Sequence, residues 1–178
     1  MKLNNYILAI FTTSLLFIST GATFAPPIID PGTAFRARLL KVFPKYIEWP
    51  ESEKKGDFIV GFVGNSPLAE AFTTAMTGRT VGAQNVKIKK FASSKDVEKC
   101  HILYIATDKS GELNNCISKV KKSNTLIITD KSGLINKSGI NFVVLDSRVK
   151  FELNTKTLGA NNLKFNPDLK KIASKVIE

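Results

Sequence analysis

Three short, almost uninterrupted apolar runs constrain the fold of this chain more than any other feature. They occupy residues 57–63, 100–106 and 125–129. Runs of this kind are typical of strands that are covered on both faces, as in parallel sheets. A fourth strand is predicted at residues 85–91, where apolar residues alternate with lysines. The chain is therefore expected to form a sheet that helices cover on both sides.

Amphipathic segments separate these strands. Apolar residues recur three and four positions apart over residues 33–48, which predicts a helix. Pro44 is expected to kink that helix or to end its regular part, because proline lacks the N–H that a helix interior needs. Pro50 is expected to stop the element. Ser66 and Pro67 predict that the next helix begins directly after the first strand. Further helices are predicted near Ser93, over residues 110–121 and over residues 163–178.

The pattern changes after residue 130. A polar segment replaces the expected helix, and residues 140–145 and 149–153 lie on either side of a predicted hairpin turn. The sequence thus predicts a single α/β domain with a mostly parallel, Rossmann/flavodoxin-like sheet and helices on both faces. The C-terminal antiparallel β-hairpin is expected at one edge of that sheet.

The N-terminus has the features of a secretory signal peptide. Lys2 precedes an apolar run over residues 6–18, and small residues follow at positions 19–22. The run is shorter than the roughly 20 residues that a membrane-spanning helix needs. We expect a signal peptide at residues 1–22, with cleavage as late as residue 25, and a soluble periplasmic protein; a retained N-terminal anchor is the alternative.

The charge of the chain argues against nucleic acid as a partner. The formal net charge is +11, but only four of the 26 basic residues are arginine. Nucleic-acid readers favour arginine because its fork binds phosphates and bases in a bidentate way. Attraction to anionic lipid or to an acidic partner remains an alternative use of this charge.

No residue pattern points to catalysis. His101 is the only histidine, and it follows Cys100 in a predicted strand. Successive strand residues point to opposite faces, so these two side chains cannot form a Cys–His nucleophile pair. One histidine and two separated cysteines also fail to supply a zinc site of the usual composition. We therefore expect a non-enzymatic protein without cofactor or metal.

Four polar residues mark a candidate ligand crevice. Asn65, Ser66, Thr107 and Asp130 follow the carboxyl ends of predicted strands. Ligands of open α/β sheets usually bind beyond those ends. If a small ligand binds this protein, these four residues are the candidates to contact it.

Cys100 and Cys116 raise the question of a disulfide, because an exported compartment is oxidising. In the predicted strand–helix unit, Cys100 lies about 20 Å and Cys116 about 10 Å below the connecting turn. A disulfide needs Cα atoms within roughly 7 Å. The pair thus remains a candidate disulfide that the geometry disfavours. We expect Cys100 to be a buried thiol and Cys116 to be exposed and able to pair between chains.

Four motifs in order resemble the YfiR-like family of bacterial periplasmic proteins. They are an aromatic-x-x-Trp-Pro segment (Tyr46, Trp49, Pro50), Val63-Gly64, a Cys-His-aliphatic strand beginning at Cys100, and a Phe-x-Leu-Asn strand ending at Asn154. The resemblance covers residues 34–172 and implies a YfiR-like α/β domain over residues 33–178. Each motif alone is weak, but four at compatible spacing are fairly specific.

The resemblance implies a regulator that acts by protein–protein contact. Its partner would be an inner-membrane sensor protein, and it would repress the periplasmic sensor domain of a diguanylate cyclase and so change cyclic-di-GMP output. The alternative is a small-ligand receptor module that feeds a histidine kinase or a similar sensor. The resemblance also implies a cysteine pair, but Gly61 stands where the partner of Cys100 is expected. A homodimer through the helix that begins at Thr33 is a further alternative.

Overall fold

The computed structural model describes residues 29–178, so the predicted signal peptide lies outside the described residues. The described chain forms five α-helices and ten strands. The helices are α1 (Pro31–Val42), α2 (Leu68–Met76), α3 (Leu113–Lys119), α4 (Thr155–Ala160) and α5 (Asp168–Ile172). The strands are β1 (Ile47–Glu48), β2 (Phe58–Val63), β3 (Thr80–Val81), β4 (Gln84–Phe91), β5 (Ile102–Ile105), β6 (Leu126–Thr129), β7 (Ile140–Leu145), β8 (Arg148–Asn154), β9 (Lys164–Phe165) and β10 (Lys175–Ile177).

Eight of these strands form one sheet in the order β10-β8-β7-β6-β5-β2-β4-β3. The central strands β4, β2, β5, β6 and β7 run parallel to one another. Within this eight-stranded sheet, antiparallel pairing is confined to β7 with β8 and to β3 with β4. Strands β1 and β9 form a separate two-stranded antiparallel ribbon. The prediction of a mostly parallel α/β sheet is confirmed.

Helices cover both faces of the sheet, as predicted. In β5, Ile102 and Tyr104 belong to the larger core, which includes residues of α1, α2, α4 and α5. Leu103 and Ile105 point the other way and pack with Leu113 of α3 in a second core. The continuous apolar run of β5 is therefore explained, because both faces of this strand are buried.

The C-terminal region differs from the prediction in two ways. The β7–β8 hairpin is not at the edge of the sheet, because β10 pairs in parallel with the outer side of β8. The predicted closing helix over residues 163–178 is replaced by β9, α5 and β10. Ser174 explains the change, since its backbone N–H and its hydroxyl both donate to the carbonyl of Phe151 and hold the chain against β8. The β-branched residues Val176 and Ile177 then favour a strand.

The first helix begins earlier than the sequence predicts, and its regular part ends beside Pro44, which is one of the two outcomes expected for that residue. Asp30 caps it by accepting hydrogen bonds from the backbone of Gly32 (2.9 Å) and Thr33 (3.1 Å). It ends at Val42, two residues before Pro44, and a single 3₁₀ turn leads into β1. The missing N–H of Pro44 explains why the regular helix does not continue.

Candidate functional site

The structure brings together two of the four predicted crevice residues. The Thr107 hydroxyl donates to the backbone carbonyl of Asp130 over 2.5 Å, at the carboxyl ends of β5 and β6. Asn65 and Ser66 make other contacts: the Asn65 N–H donates to Asp108, and the Ser66 hydroxyl accepts from the N–H of Leu68. Neither of them lines the crevice that Thr107 and Asp130 share.

Two residues that the sequence interpretation missed complete this site. The Tyr104 hydroxyl donates to Asp130 Oδ2 over 2.9 Å, and Arg36 Nε of α1 lies 3.2 Å from the same oxygen. The Arg36 and Asp130 side chains are only 16% and 20% exposed. Burial raises the pKa of Asp130 above its usual value, although Arg36 and the Tyr104 hydroxyl act in the opposite direction. No sequence signal pointed to this pairing, because only the packing of α1 on the sheet brings Arg36 to Asp130.

The crevice has a polar floor and an apolar wall. It encloses about 680 Å³. Strand β7 pairs with β6 only through Ile140 and Asn141, so its remaining four residues project beyond the end of β6. At about 3.3 Å per residue this overhang is roughly 13 Å long. Within this overhang Val144 is 59% exposed and Leu145 is 43% exposed, and both residues line the crevice.

A second cavity lies at the other end of the sheet, beside the β1–β9 ribbon. It encloses about 750 Å³. Pairing of Ile47 with Phe165 closes one side, and the N–H of Asn166 donates to the carbonyl of Tyr46 over 2.7 Å. The other lining residues include Trp49, Phe58, Gln84 and Pro167. The aromatic-x-x-Trp-Pro motif thus supplies a wall of this cavity.

Trp49 has an unsatisfied polar group. The residue is 5% exposed and packs edge-on against Phe58, with ring centroids 5.0 Å apart. Among residues 29–178, no atom accepts a hydrogen bond from the buried indole N–H of Trp49. A buried donor without an acceptor costs about 1–3 kcal/mol. The nitrogen is itself out of contact with solvent, so this cost is carried by the fold of the free protein.

His101 serves the structure of this end of the sheet. Its Nδ1 accepts a hydrogen bond from the N–H of Ile59 (3.0 Å), and its Nε2 lies 2.8 Å from the carbonyl of Glu53. Only a neutral ring with its proton on Nε2 satisfies both contacts. The ring also stacks on Phe58 at 4.4 Å. With both nitrogens engaged by backbone groups, this histidine has no nitrogen available for acid–base chemistry.

Glu53 holds the loop before β2 in place below Trp49. Its carboxylate accepts hydrogen bonds from Lys99 (2.8 Å) and Asn124 (2.9 Å), and the residue is 8% exposed. Burial raises the pKa of Glu53, but the hydrogen bonds from Lys99 and Asn124 outweigh it, so the pKa lies below its usual value. The loop before β2 is thereby tied to Lys99 and Asn124, which lie shortly before β5 and β6.

Both cysteines are free, buried thiols in the second core. The expectation that Cys116 is exposed was wrong: α3 begins only at Leu113, and its inward face buries Cys116 completely. Burial raises the pKa of Cys100 to about 12 and that of Cys116 to about 11. Neither thiol is therefore an activated nucleophile.

The described residues form an α/β fold with a mostly parallel sheet, and the two cavities described above lie at opposite ends of that sheet. Within residues 29–178, no helix combines the length and apolar character that crossing a membrane requires. The chain belongs to the YfiR/HmsC-like family, whose model matches residues 33–174. Members of this family are periplasmic and regulatory rather than catalytic, and membership suggests a role in diguanylate cyclase signalling.

Two solved structures share the fold. The ABC domain from Streptococcus pneumonia, solved in complex with L-Trp, is 11% identical with a TM-score of 0.57 and is matched over 82% of this chain and 60% of its own. A conserved domain protein from Vibrio cholerae O1 biovar eltor is 9% identical with a TM-score of 0.56, over 81% and 60% of the two chains. This chain thus spans 60% of the length of each. No curated protein matches the sequence.

Proposed function

We propose that this protein is a non-enzymatic periplasmic regulator that binds and represses the sensor domain of an inner-membrane diguanylate cyclase. Family membership supports the compartment and the signalling system. The predicted signal peptide at residues 1–22 would deliver the chain to the same side of the membrane as such a sensor domain. Repression then requires only that the two proteins touch, without any chemical step.

The observation that carries the proposal is the 750 Å³ cavity beside the β1–β9 ribbon. Tyr46 and Trp49 belong to the motif that marks the family, and both line this cavity. A surface built from family motif residues is suited to a function that the family shares. The cavity volume lies within the range of about 300–1,000 Å³ that bound groups usually fill.

The cavity suits an apolar side chain of the partner, because Phe58 and Phe165 offer apolar walls. The indole N–H of Trp49 is buried and takes no part in this contact. Lys45 and Lys164 stand exposed at the rim, where they favour an acidic partner surface.

A pair of alanine-to-tryptophan variants tests the proposal. Ala83 is exposed and lines the cavity, whereas Ala92 is exposed and lies outside it. In a deletion strain, cyclic-di-GMP should rise, and the wild-type protein and Ala92→Trp should both restore repression. Ala83→Trp should fold normally but fail to repress, because its side chain occupies the cavity.

Two results would contradict the proposal. One is that deletion leaves cyclic-di-GMP unchanged while pull-down from native envelopes recovers no inner-membrane sensor protein. The other is that Ala83→Trp represses as well as Ala92→Trp, which would place the contact away from the cavity.

A further inference from the structure

Arg36 lies in the crevice at the carboxyl ends of the strands with most of its donors unused. Among residues 29–178, no group accepts a well-aligned hydrogen bond from its guanidinium. The nearest carboxylate oxygen is Asp130 Oδ2, at 3.2 Å from Nε, but the approach is not aligned as a hydrogen bond. A guanidinium offers five donors in a flat fork that fits a carboxylate. Arg36 is thus held in place but is not saturated.

Asp130 is also only half used. Its Oδ2 accepts from the Tyr104 hydroxyl, and no described residue donates a hydrogen bond to its Oδ1. The positive and negative groups therefore lie side by side, each with hydrogen-bonding capacity left over. A simple carboxylate at Arg36 would be repelled by Asp130, and a simple amine at Asp130 would be repelled by Arg36. A molecule with both charges next to each other matches both groups.

The wall of the crevice adds a requirement for an apolar body. Val144 and Leu145 project beyond the end of β6 and remain 59% and 43% exposed. The opposite side carries the hydroxyls of Thr107 and Ser132. At about 680 Å³ the crevice has room for a molecule much larger than a water cluster. Successive strand residues point to opposite faces, so an apolar group attached to a small zwitterion would cover Val144, which is on the same face of β7 as Phe142.

We propose that this crevice binds a free α-amino acid with an apolar side chain. The carboxylate contacts the Arg36 fork, the ammonium group contacts Asp130, and the side chain packs on Val144. Charge-assisted contacts of this kind are the stronger class of hydrogen bond. The site goes beyond the proposed repression of a cyclase, because it is separate from the Trp49 cavity and shares no lining residue with it.

Titration calorimetry on the purified protein tests the ligand class with four probes. L-leucine carries both charges and an apolar body, 4-methylpentanoate lacks the ammonium group, 3-methylbutylamine lacks the carboxylate, and glycine lacks the apolar body. L-leucine should bind, and each charge-deleted probe should bind roughly 10- to 100-fold more weakly. Equal binding of L-leucine and 4-methylpentanoate would overturn the assignment of the ammonium group to Asp130.

Variants then locate the site. Arg36→Met should weaken L-leucine binding by roughly 10- to 100-fold, whereas Arg38→Met, at an exposed position of the same helix, should leave it unchanged. Asp130→Asn should weaken L-leucine but strengthen 4-methylpentanoate, because it removes the repulsion. This opposite response distinguishes lost recognition from lost folding.

Three outcomes would overturn the proposal. The first is that L-leucine, L-isoleucine, L-valine and L-phenylalanine all fail to bind at concentrations up to about 10 mM, because a dissociation constant above that value is too weak for a receptor. The second is that Arg36→Met binds L-leucine as tightly as the wild type. The third is that the ligand shifts the NMR signals of Trp49 and Phe165 instead of those of Val144 and Leu145. None of these outcomes depends on cyclic-di-GMP, so this proposal and the proposed function can fail separately.

Discussion

Replacing Gly61 by cysteine should create a disulfide with Cys100. A Cβ atom added to Gly61 would lie 3.3 Å from Cys100 Sγ. The geometry of an unstrained disulfide requires about 3.0 Å between a Cβ atom and the sulfur across the bond. The new Cβ would also lie 2.7 Å from Phe91 Cε2 and 3.1 Å from Leu103 Cδ1, so the Phe91 ring must shift. The distance from the new Cβ atom to Cys100 Sγ is thus close to that of a disulfide, but the neighbouring side chains must move to make room for it.

The stabilisation by the disulfide and the cost of displacing the neighbouring side chains differ in size. Closing a loop of about 40 residues restricts the unfolded chain by about 4 kcal/mol. Displacing Phe91 and Leu103 in a packed core costs about 1–3 kcal/mol. The oxidised variant should therefore have a free energy of unfolding about 1–3 kcal/mol above that of the wild type.

Urea unfolding of oxidised and reduced protein measures the difference, with mass spectrometry to verify the bond. Gly61→Ser is the matched control, because it introduces nearly the same overlap with Phe91 but cannot form a bond. It should be less stable than the wild type by about 1–3 kcal/mol. The reasoning fails if the oxidised protein shows no disulfide, or if the disulfide form is less stable than its own reduced form.

Three further predictions concern buried groups. Since the pKa of Glu53 in the folded protein lies below its usual value of 4.5, its contribution to stability is present above that value and is lost as the pH falls through the folded pKa. In thermal unfolding scans, Glu53→Gln should be less stable than the wild type at pH 7 but should lose less stability on acidification; parallel pH curves would contradict this. Cys100 and Cys116, with pKa values raised to about 12 and about 11, should resist a thiol reagent at pH 8 until urea unfolds the chain; rapid labelling of the native protein would show that the second core opens. His101→Phe keeps a ring against Phe58 but leaves two backbone groups unpaired, so urea unfolding should show a free energy of unfolding about 3 kcal/mol below that of the wild type. An unchanged free energy of unfolding would mean that water replaces the two ring nitrogens.

The sequence interpretation succeeded where burial alone decides the structure. Residues 102–105 form a strand because four successive apolar side chains need cover on both faces, and these four residues alone are enough to show that need. The hairpin over β7 and β8 was predicted for the same reason, with a polar turn between two strands. The position of this hairpin in the sheet was not predicted correctly, because the outer neighbour of β8 is β10, a segment that lies further along the chain.

The candidate site shows the same limit. Asp130 and Thr107 could be placed together because the ends of adjacent parallel strands meet at one side of a sheet. Arg36 could not be placed with them, since only the packing of α1 on the sheet brings it to Asp130. The β1–β9 ribbon was also missed: each strand has two residues, which is too short to give a periodic signal.

The outermost strands of the main sheet are shorter than the strands that they border. Strand β3 pairs only with Gln84 and Asn85 of β4, so residues 86–91 have no strand on their outer side in the described part of the chain. Three of those six residues, at positions 87, 89 and 90, are lysines, and charged side chains of this kind oppose the addition of a strand from another protein. Charge, and not a shortage of free N–H and C=O groups, is therefore what protects this border of the sheet.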